Sequence, residues 1–239
     1  MQTVLEVRDK TVAYFEKAGI ESPVNEAERL MAETLGIKRL ELFLNFEKPL
    51  NDNELESLRD RIRRRAKREP LQYILGYWDF HDIRLQLQPG VLIPRPETEL
   101  LVEAVIKRLE GIEAPRIVDL GTGSGAIALA LAKALPQAKV LAVERSAEAL
   151  AQARLNADAL GLRDQVAFRS GDWLDGLSLQ ADCIVSNPPY LTESEWETVQ
   201  PEVREHEPKA ALVAADAGMA DLKAIVSSAK SQLVEGGII

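Results

Sequence analysis

The chain has 239 residues, 46% apolar and 28% charged, with a formal net charge of −9. That balance suits a folded globular protein rather than a disordered one. No stretch approaches the roughly 18 uncharged apolar residues of a membrane span, and Glu6, Arg8, Asp9 and Lys10 argue against a signal peptide. The lone Cys183 rules out an intrachain disulfide and, with His81 and His206 far apart, a Cys/His zinc site. A cytoplasmic protein without membrane association is expected. Residues 1–70 hold 14 Lys/Arg against 14 Asp/Glu, so the whole deficit falls on residues 71–239. An acidic body argues against a large nucleic-acid footprint, because duplex binding is dominated by phosphate neutralisation.

Residues 1–70 read as helical. Val4, Val7, Val12 and Phe15 form an amphipathic stripe. Ser22-Pro23 offers an N-cap with proline at the first helical position, Ala27, Leu30, Met31, Thr34 and Leu35 supply the next apolar face, and Gly36 stops it. Residues 40–46 are apolar enough to be buried, and Asp52 caps a last helix with Leu55, Leu58 and Ile62 inward. On that helix Arg61, Arg64, Arg65 and Arg68 share one face. They read as a solvated face paired with Glu54, Glu56 and Asp60, or else as a docking patch for an acidic or RNA-bound partner.

Residues 71–93 change period. Tyr77-Trp78-Asp79-Phe80 and Ile83-Arg84-Leu85-Gln86-Leu87 alternate around His81-Asp82, which predicts a β-hairpin linker. From residue 94 onward helices alternate with strands. A helix from Pro96 to about Leu109 precedes strands 116–120, 139–144, 165–169 and 182–186, with helices 124–135 and 147–160 between them and 218–233 after them. The apolar strands lack clean alternation and predict a parallel sheet covered on both faces. Residues 235–239 read as a turn entering another strand, as if the natural domain continued further.

Val118-Asp119-Leu120-Gly121-Thr122-Gly123-Ser124-Gly125-Ala126 lies at a strand-to-helix junction, where glycines permit a tight turn and the helix offers free N–H groups. Glu144, ending the next strand, can accept hydrogen bonds from ribose hydroxyls. The loop also fits the dinucleotide pattern G-x-G-x-x-G/A. Asp119, placed to hold a cationic amine, favours S-adenosylmethionine over a pyrophosphate. Asp172 and Trp173 add an acceptor and an aromatic face suited to adenine, although Trp173 also reads as a half-buried packing residue.

Asn187-Pro188-Pro189-Tyr190 follows a strand at its carboxyl end, where ligands bind in open α/β sheets. The prolines stiffen the loop and supply no donors. The Pro188 carbonyl and the Asn187 side-chain oxygen can hold both hydrogens of one NH₂ group, and Tyr190 can stack on a planar group. Such a corner orients an amide nitrogen for attack on a sulfonium methyl. Cys183 reads as a core residue and His206 as structural.

Together with Pro70-Leu71-Gln72-Tyr73-Ile74-Leu75-Gly76, Arg95-Pro96-Glu97-Thr98 and Glu205-His206-Glu207-Pro208, these motifs resemble the HemK/PrmC family, protein-glutamine methyltransferases of the class I fold. The resemblance implies a Rossmann-like, mostly parallel sheet over residues 94–239 that binds S-adenosylmethionine, joined by the 71–93 hairpin to a helical substrate-recognition domain over 1–70. It implies methylation of the glutamine in the Gly-Gly-Gln motif of peptide chain release factors; separately from the resemblance, a monomer is expected. It places Gly121, Thr122, Gly123, Ser124, Gly125, Glu144, Trp173 and Asn187 on the cofactor, and residues 187–190 on the glutamine, with Asn187, Pro188 and Tyr190 catalytic. Glu144 stands where the family suggests aspartate, and Val213-Ala214-Ala215-Asp216 stands where a glycine pair is expected. The family also continues past residue 239 with an antiparallel hairpin. The rival readings are a nucleic-acid adenine methyltransferase, a nicotinamide-dependent oxidoreductase and a non-catalytic binding module.

Overall fold

A computed structural model describes residues 2–239. Its contacts group the chain into two units: residues through Gly76 with Pro201–His206, and Tyr77–Gln200 with Glu207–Ile239. In the first unit α1 (Val4–Lys17) opens on a capping box. The Thr3 hydroxyl accepts from the Glu6 amide at 3.3 Å, and the Glu6 carboxylate accepts from the Thr3 amide at 3.1 Å. Its buried stripe is Val4, Val7, Thr11 and Phe15. Thr11 replaces the expected Val12 because its hydroxyl is satisfied by the Val7 carbonyl at 2.7 Å.

Helix α2 (Pro23–Leu35) begins with proline and ends at Gly36 in a left-handed conformation, φ 64°, while the Ser22 side chain makes no capping bond. In α3 (Asp52–Ala66) the cap is Asn51, one residue earlier than expected, in a capping box with Glu54. Leu58 alone of the three expected apolar residues is fully buried. Helix α4 (Leu71–Leu75) lies where the sequence suggested the start of the linker.

Residues 40–46 correct the sequence reading. Arg39–Asn45 is a 3₁₀ turn in which only Leu42 is buried, while Leu40 is 80% and Leu44 86% exposed. With three residues per turn, Leu42 alone is carried inward, while Leu40 and Phe43, three apart, share an exposed face with Leu44 beside them.

The second unit begins with the antiparallel hairpin of β1 (Tyr77–Phe80) and β2 (Ile83–Gln86). There follow α5 (Glu97–Arg108), β3 (Arg116–Leu120), α6 (Ala126–Ala134), β4 (Lys139–Glu144), α7 (Ala147–Leu160), β5 (Val166–Ser170), β6 (Ala181–Ser186), α8 (Glu193–Trp196) and, after α9 (Pro201–His206) of the first unit, α10 (Ala220–Ala229) and β7 (Leu233–Ile238). The sheet runs β5-β4-β3-β6-β7 with every neighbour parallel. Strand alternation sorts its apolar side chains into two cores. Ile117, Val140, Ala142, Cys183 and Val185 pack with α5, α6 and α7, and Val118, Leu120, Val143 and Ile184 pack with α10.

The chain end differs from expectation. Residues 218–233 do not form one helix; α10 stops at Ala229 and β7 already begins at Leu233. Gly236 and Gly237 lie within the strand, where its register against β6 shifts, and a Cβ on Gly237 would stand 3.0 Å from the Ala181 carbonyl.

The short helix α9 belongs to the first unit and explains the arginine cluster. Arg65 is buried. Its guanidinium donates to both oxygens of Glu26, to Glu202 at 2.7 Å and to the Glu69 carbonyl at 3.4 Å. Arg68 donates to Glu202 at 2.6 Å and Arg64 pairs with Glu69. The expected partners Glu54, Glu56 and Asp60 are not those of Arg65 and Arg68; Arg65 is withdrawn from solvent, while the Arg64 side chain stays 39% exposed. Burial pushes the Glu202 carboxyl up, but the Arg65 and Arg68 guanidiniums outweigh that and hold it below the usual carboxylate range.

Candidate active site

Register places the site. Leu120 at the end of β3 is level with Val143 of β4 and Ser186 of β6. The next residues, Gly121, Glu144 and Asn187, therefore emerge side by side at the carboxyl edge. Strand β3 has β4 on one side and β6 on the other, so the chain reverses its winding there and leaves a crevice.

A cavity of about 280 Å³ opens at this edge. Gly121, Gly123, Glu144, Asp172, Trp173, Asn187 and Pro189 all line it. Gly90, Leu92, Arg145, Ser146, Glu148, Ala149, Gly171, Pro208, Ala210 and Ala211 complete the wall and were not singled out from sequence.

Gly121 and Gly123 have φ of 71° and 57°, which L side chains rarely adopt. The Trp173 ring lies against Gly121, where an added Cβ would stand 3.2 Å from the ring edge. Trp173 also packs against the α10-side core, so it serves as wall and as packing residue at once.

The Glu144 carboxylate is 8% exposed and accepts from the Gly123 amide at 2.9 Å and the Ser146 amide at 2.8 Å. The Gly123 N–H that a pyrophosphate would need is thus already taken by a carboxylate. With Glu148 and Asp172 also on the wall against a single cation, Arg145, whose guanidinium donates to the Ala210 carbonyl at 2.8 Å, the cavity favours a positively charged ligand over an anionic one. Glu144 retains lone pairs toward the cavity for ribose hydroxyls, and Trp173 a flat face for a purine. These residues fit S-adenosylmethionine.

Four of the expected cofactor residues do not reach the cavity wall. Asp119 is fully buried. Strand alternation puts its side chain with Ile117 on the α6 face, where it accepts from the Thr122 hydroxyl at 2.6 Å and the Ala128 amide at 3.1 Å. Both bonds fall on Oδ2 and hold the glycine loop to α6, while Oδ1 is buried without a hydrogen-bond partner among the described residues. Burial above all, aided by the Glu144 charge, outweighs these two bonds and raises its pKa to about 7. Thr122 and Ser124 are buried as well, and Gly125 caps α6 with φ 88°. These residues shape the loop from behind.

At the other side Pro188 and Pro189 are buried and Tyr190 is 55% exposed. The Tyr190 and Leu191 amides both donate to the Leu212 carbonyl, at 3.1 and 2.9 Å, and the Gly218 backbone passes so close that a Cβ would stand 2.2 Å from the Tyr190 carbonyl. Of the four residues only Asn187 and Pro189 line the cavity. The Asn187 side-chain nitrogen donates to Thr98 Oγ1 at 3.3 Å.

A five-stranded parallel sheet with a glycine loop after β3, an acid closing β4 and an Asn-Pro-Pro-Tyr corner after β6 defines a class I methyltransferase. Known proteins narrow this further. Residues 6–76 match the model of the PrmC N-terminal domain, and residues 96–205 match that of the methyltransferase small domain. The chain is 44% identical over 236 residues to the release factor glutamine methyltransferase of Geobacter sulfurreducens, covering 98% of this chain and 82% of that one. It is 42% identical over 247 residues to that of Chlorobaculum tepidum, covering 99% and 84%. For the Salmonella typhimurium relative the figures are 42% over 220 residues, 92% and 78%. The chain belongs to the release factor glutamine methyltransferase family. Among the described residues no helix is long and apolar enough to cross a membrane.

Proposed function

We propose that the chain transfers the methyl group of S-adenosylmethionine to the side-chain amide nitrogen of the glutamine in the Gly-Gly-Gln motif of peptide chain release factors, in the cytoplasm. The observation that carries this reading is one cavity lined both by an acid-flanked glycine loop and by Asn187 and Pro189 of the corner after β6. Bound there, S-adenosylmethionine supplies an electrophilic methyl on a sulfonium. Glu144 would hold the ribose, Trp173 would cover the adenine, and the backbone of Gly121 and Gly123 permits close approach.

An amide nitrogen is a weak nucleophile because its lone pair is delocalised into the carbonyl. Asn187 Oδ1 and the Pro188 carbonyl would each accept one of its hydrogens, aim the lone pair and stabilise the positive charge that builds on nitrogen. The amide nitrogen so held would take the methyl group from the sulfonium, which would leave as a neutral thioether, and would release one proton to water. The exposed Tyr190 ring would stack on the carboxamide. The helical unit, matched by the PrmC N-terminal domain, is assigned recognition of the release factor.

Mass spectrometry of a release factor incubated with the protein and labelled cofactor tests the proposal. One added methyl on the glutamine of Gly-Gly-Gln is expected, lost in Asn187→Ala, with cofactor affinity changed less than about threefold. A methyl elsewhere, or full turnover in Asn187→Ala, refutes the amide-holding role.

A further inference from the structure

We infer that Thr98 is a positioning residue for the methyl-transfer step, acting through Asn187. This rests on the amide-holding role proposed above. A carboxamide is two-faced. With its oxygen toward the substrate it accepts a hydrogen from the incoming NH₂, but rotated by half a turn it presents its own hydrogens and repels that group. The Thr98 hydroxyl holds the Asn187 side chain in place: it can accept from Nδ2 or donate to Oδ1, and in the structure it accepts. Asn187 Nδ2 donates to Thr98 Oγ1 at 3.3 Å, which leaves Oδ1 as the free end.

Thr98 is itself held. It lies in the first turn of α5, its amide donating to the Arg95 carbonyl at 3.0 Å. Arg95 pairs at 2.7 Å with Glu207, whose side chain is 2% exposed and whose other oxygen accepts from the Ile93 amide at 3.0 Å. A buried carboxylate thus ties residues 93–95 down from a distant part of the chain, and the segment carries the Thr98 hydroxyl to Asn187. The Arg95-Pro96-Glu97-Thr98 motif, which no cofactor or substrate contact accounts for, acquires a purpose: it orients the acceptor.

The test combines kinetics, calorimetry and a double-mutant cycle on the full chain. Thr98→Val keeps the shape and removes the acceptor. Turnover should fall about tenfold, the scale of one neutral hydrogen bond, with S-adenosylmethionine affinity and thermal midpoint unchanged. Thr98→Ser should recover turnover to within about twofold. In an Asn187→Ala background, Thr98→Val should produce no further loss, because its target is gone. Undiminished turnover in Thr98→Val overturns the inference. So do losses that multiply in the double variant, or a parallel fall in cofactor affinity. Full turnover in Asn187→Ala alone would instead sink the amide-holding reading, so the two failures are distinguishable.

Discussion

Arg65→Met probes what the arginine cluster does. The Arg65 side chain is 5% exposed, and its two carboxylate partners, Glu26 and Glu202, are 16% and 12% exposed. Methionine fills similar volume but leaves Glu26 without its cation and Glu202 with Arg68 alone, both largely shielded from water. Removing one member of a buried ion pair costs about 3–5 kcal/mol, most of it the penalty of the stranded charge. Native stability is only about 5–15 kcal/mol, so the loss is severe. At roughly 2–4 °C per kcal/mol for a chain of this size, calorimetry should show the midpoint lowered by roughly 10 °C. The double variant Arg65→Met, Glu26→Gln removes the stranded charge, leaves the Arg68–Glu202 pair in place and should regain most of it. The ion pair also depends on pH. Glu202 titrates below its ordinary value when folded, so its contribution is complete above the unfolded pKa and fades as pH falls through the folded one. A midpoint within about 3 °C of wild type for Arg65→Met would return residues 61–68 to a solvated face.

Asp119 behaves oppositely. Its folded pKa is raised from 3.8 to about 7, so the folded protein holds the proton more tightly than the unfolded chain. Its stabilisation is complete at low pH, declines from about pH 4 up to about 7, and is flat above, a total of about 4 kcal/mol. Asp119→Asn should therefore lose less stability than wild type between pH 5 and pH 8 in urea titrations, and identical pH dependence would contradict the burial argument. In Gly125→Ala the new Cβ meets Leu129 Cδ1 at 2.8 Å and Ala153 Cβ at 3.3 Å, at φ 88°. Left-handed strain of about 1–2 kcal/mol adds to overpacking of about 1–3 kcal/mol. A urea-derived loss below about 1 kcal/mol would mean that the loop and α6 shift more freely than their packing implies.

What the sequence determined by itself is what local patterns encode. Strands 116–120 and 139–144 are legible from apolar runs without clean alternation, helix 147–160 from its place after the second of them, and the cavity's Gly121, Gly123, Glu144 and Asn187 from their places at strand ends, since each depends on neighbours in the chain. The tertiary structure alone decided matters set by partners far away. Strand register brings Asn187 beside Gly121, and alternation turns Asp119 beneath α6. Thr98 reaches Asn187 across 89 residues and Arg95 reaches Glu207 across 112. Helical periodicity marked residues 61–68 as one charged face, but whether that face meets water or Glu202 depends on a segment 137 residues away. Side-chain periodicity tells which residues share a face; only packing tells what that face meets.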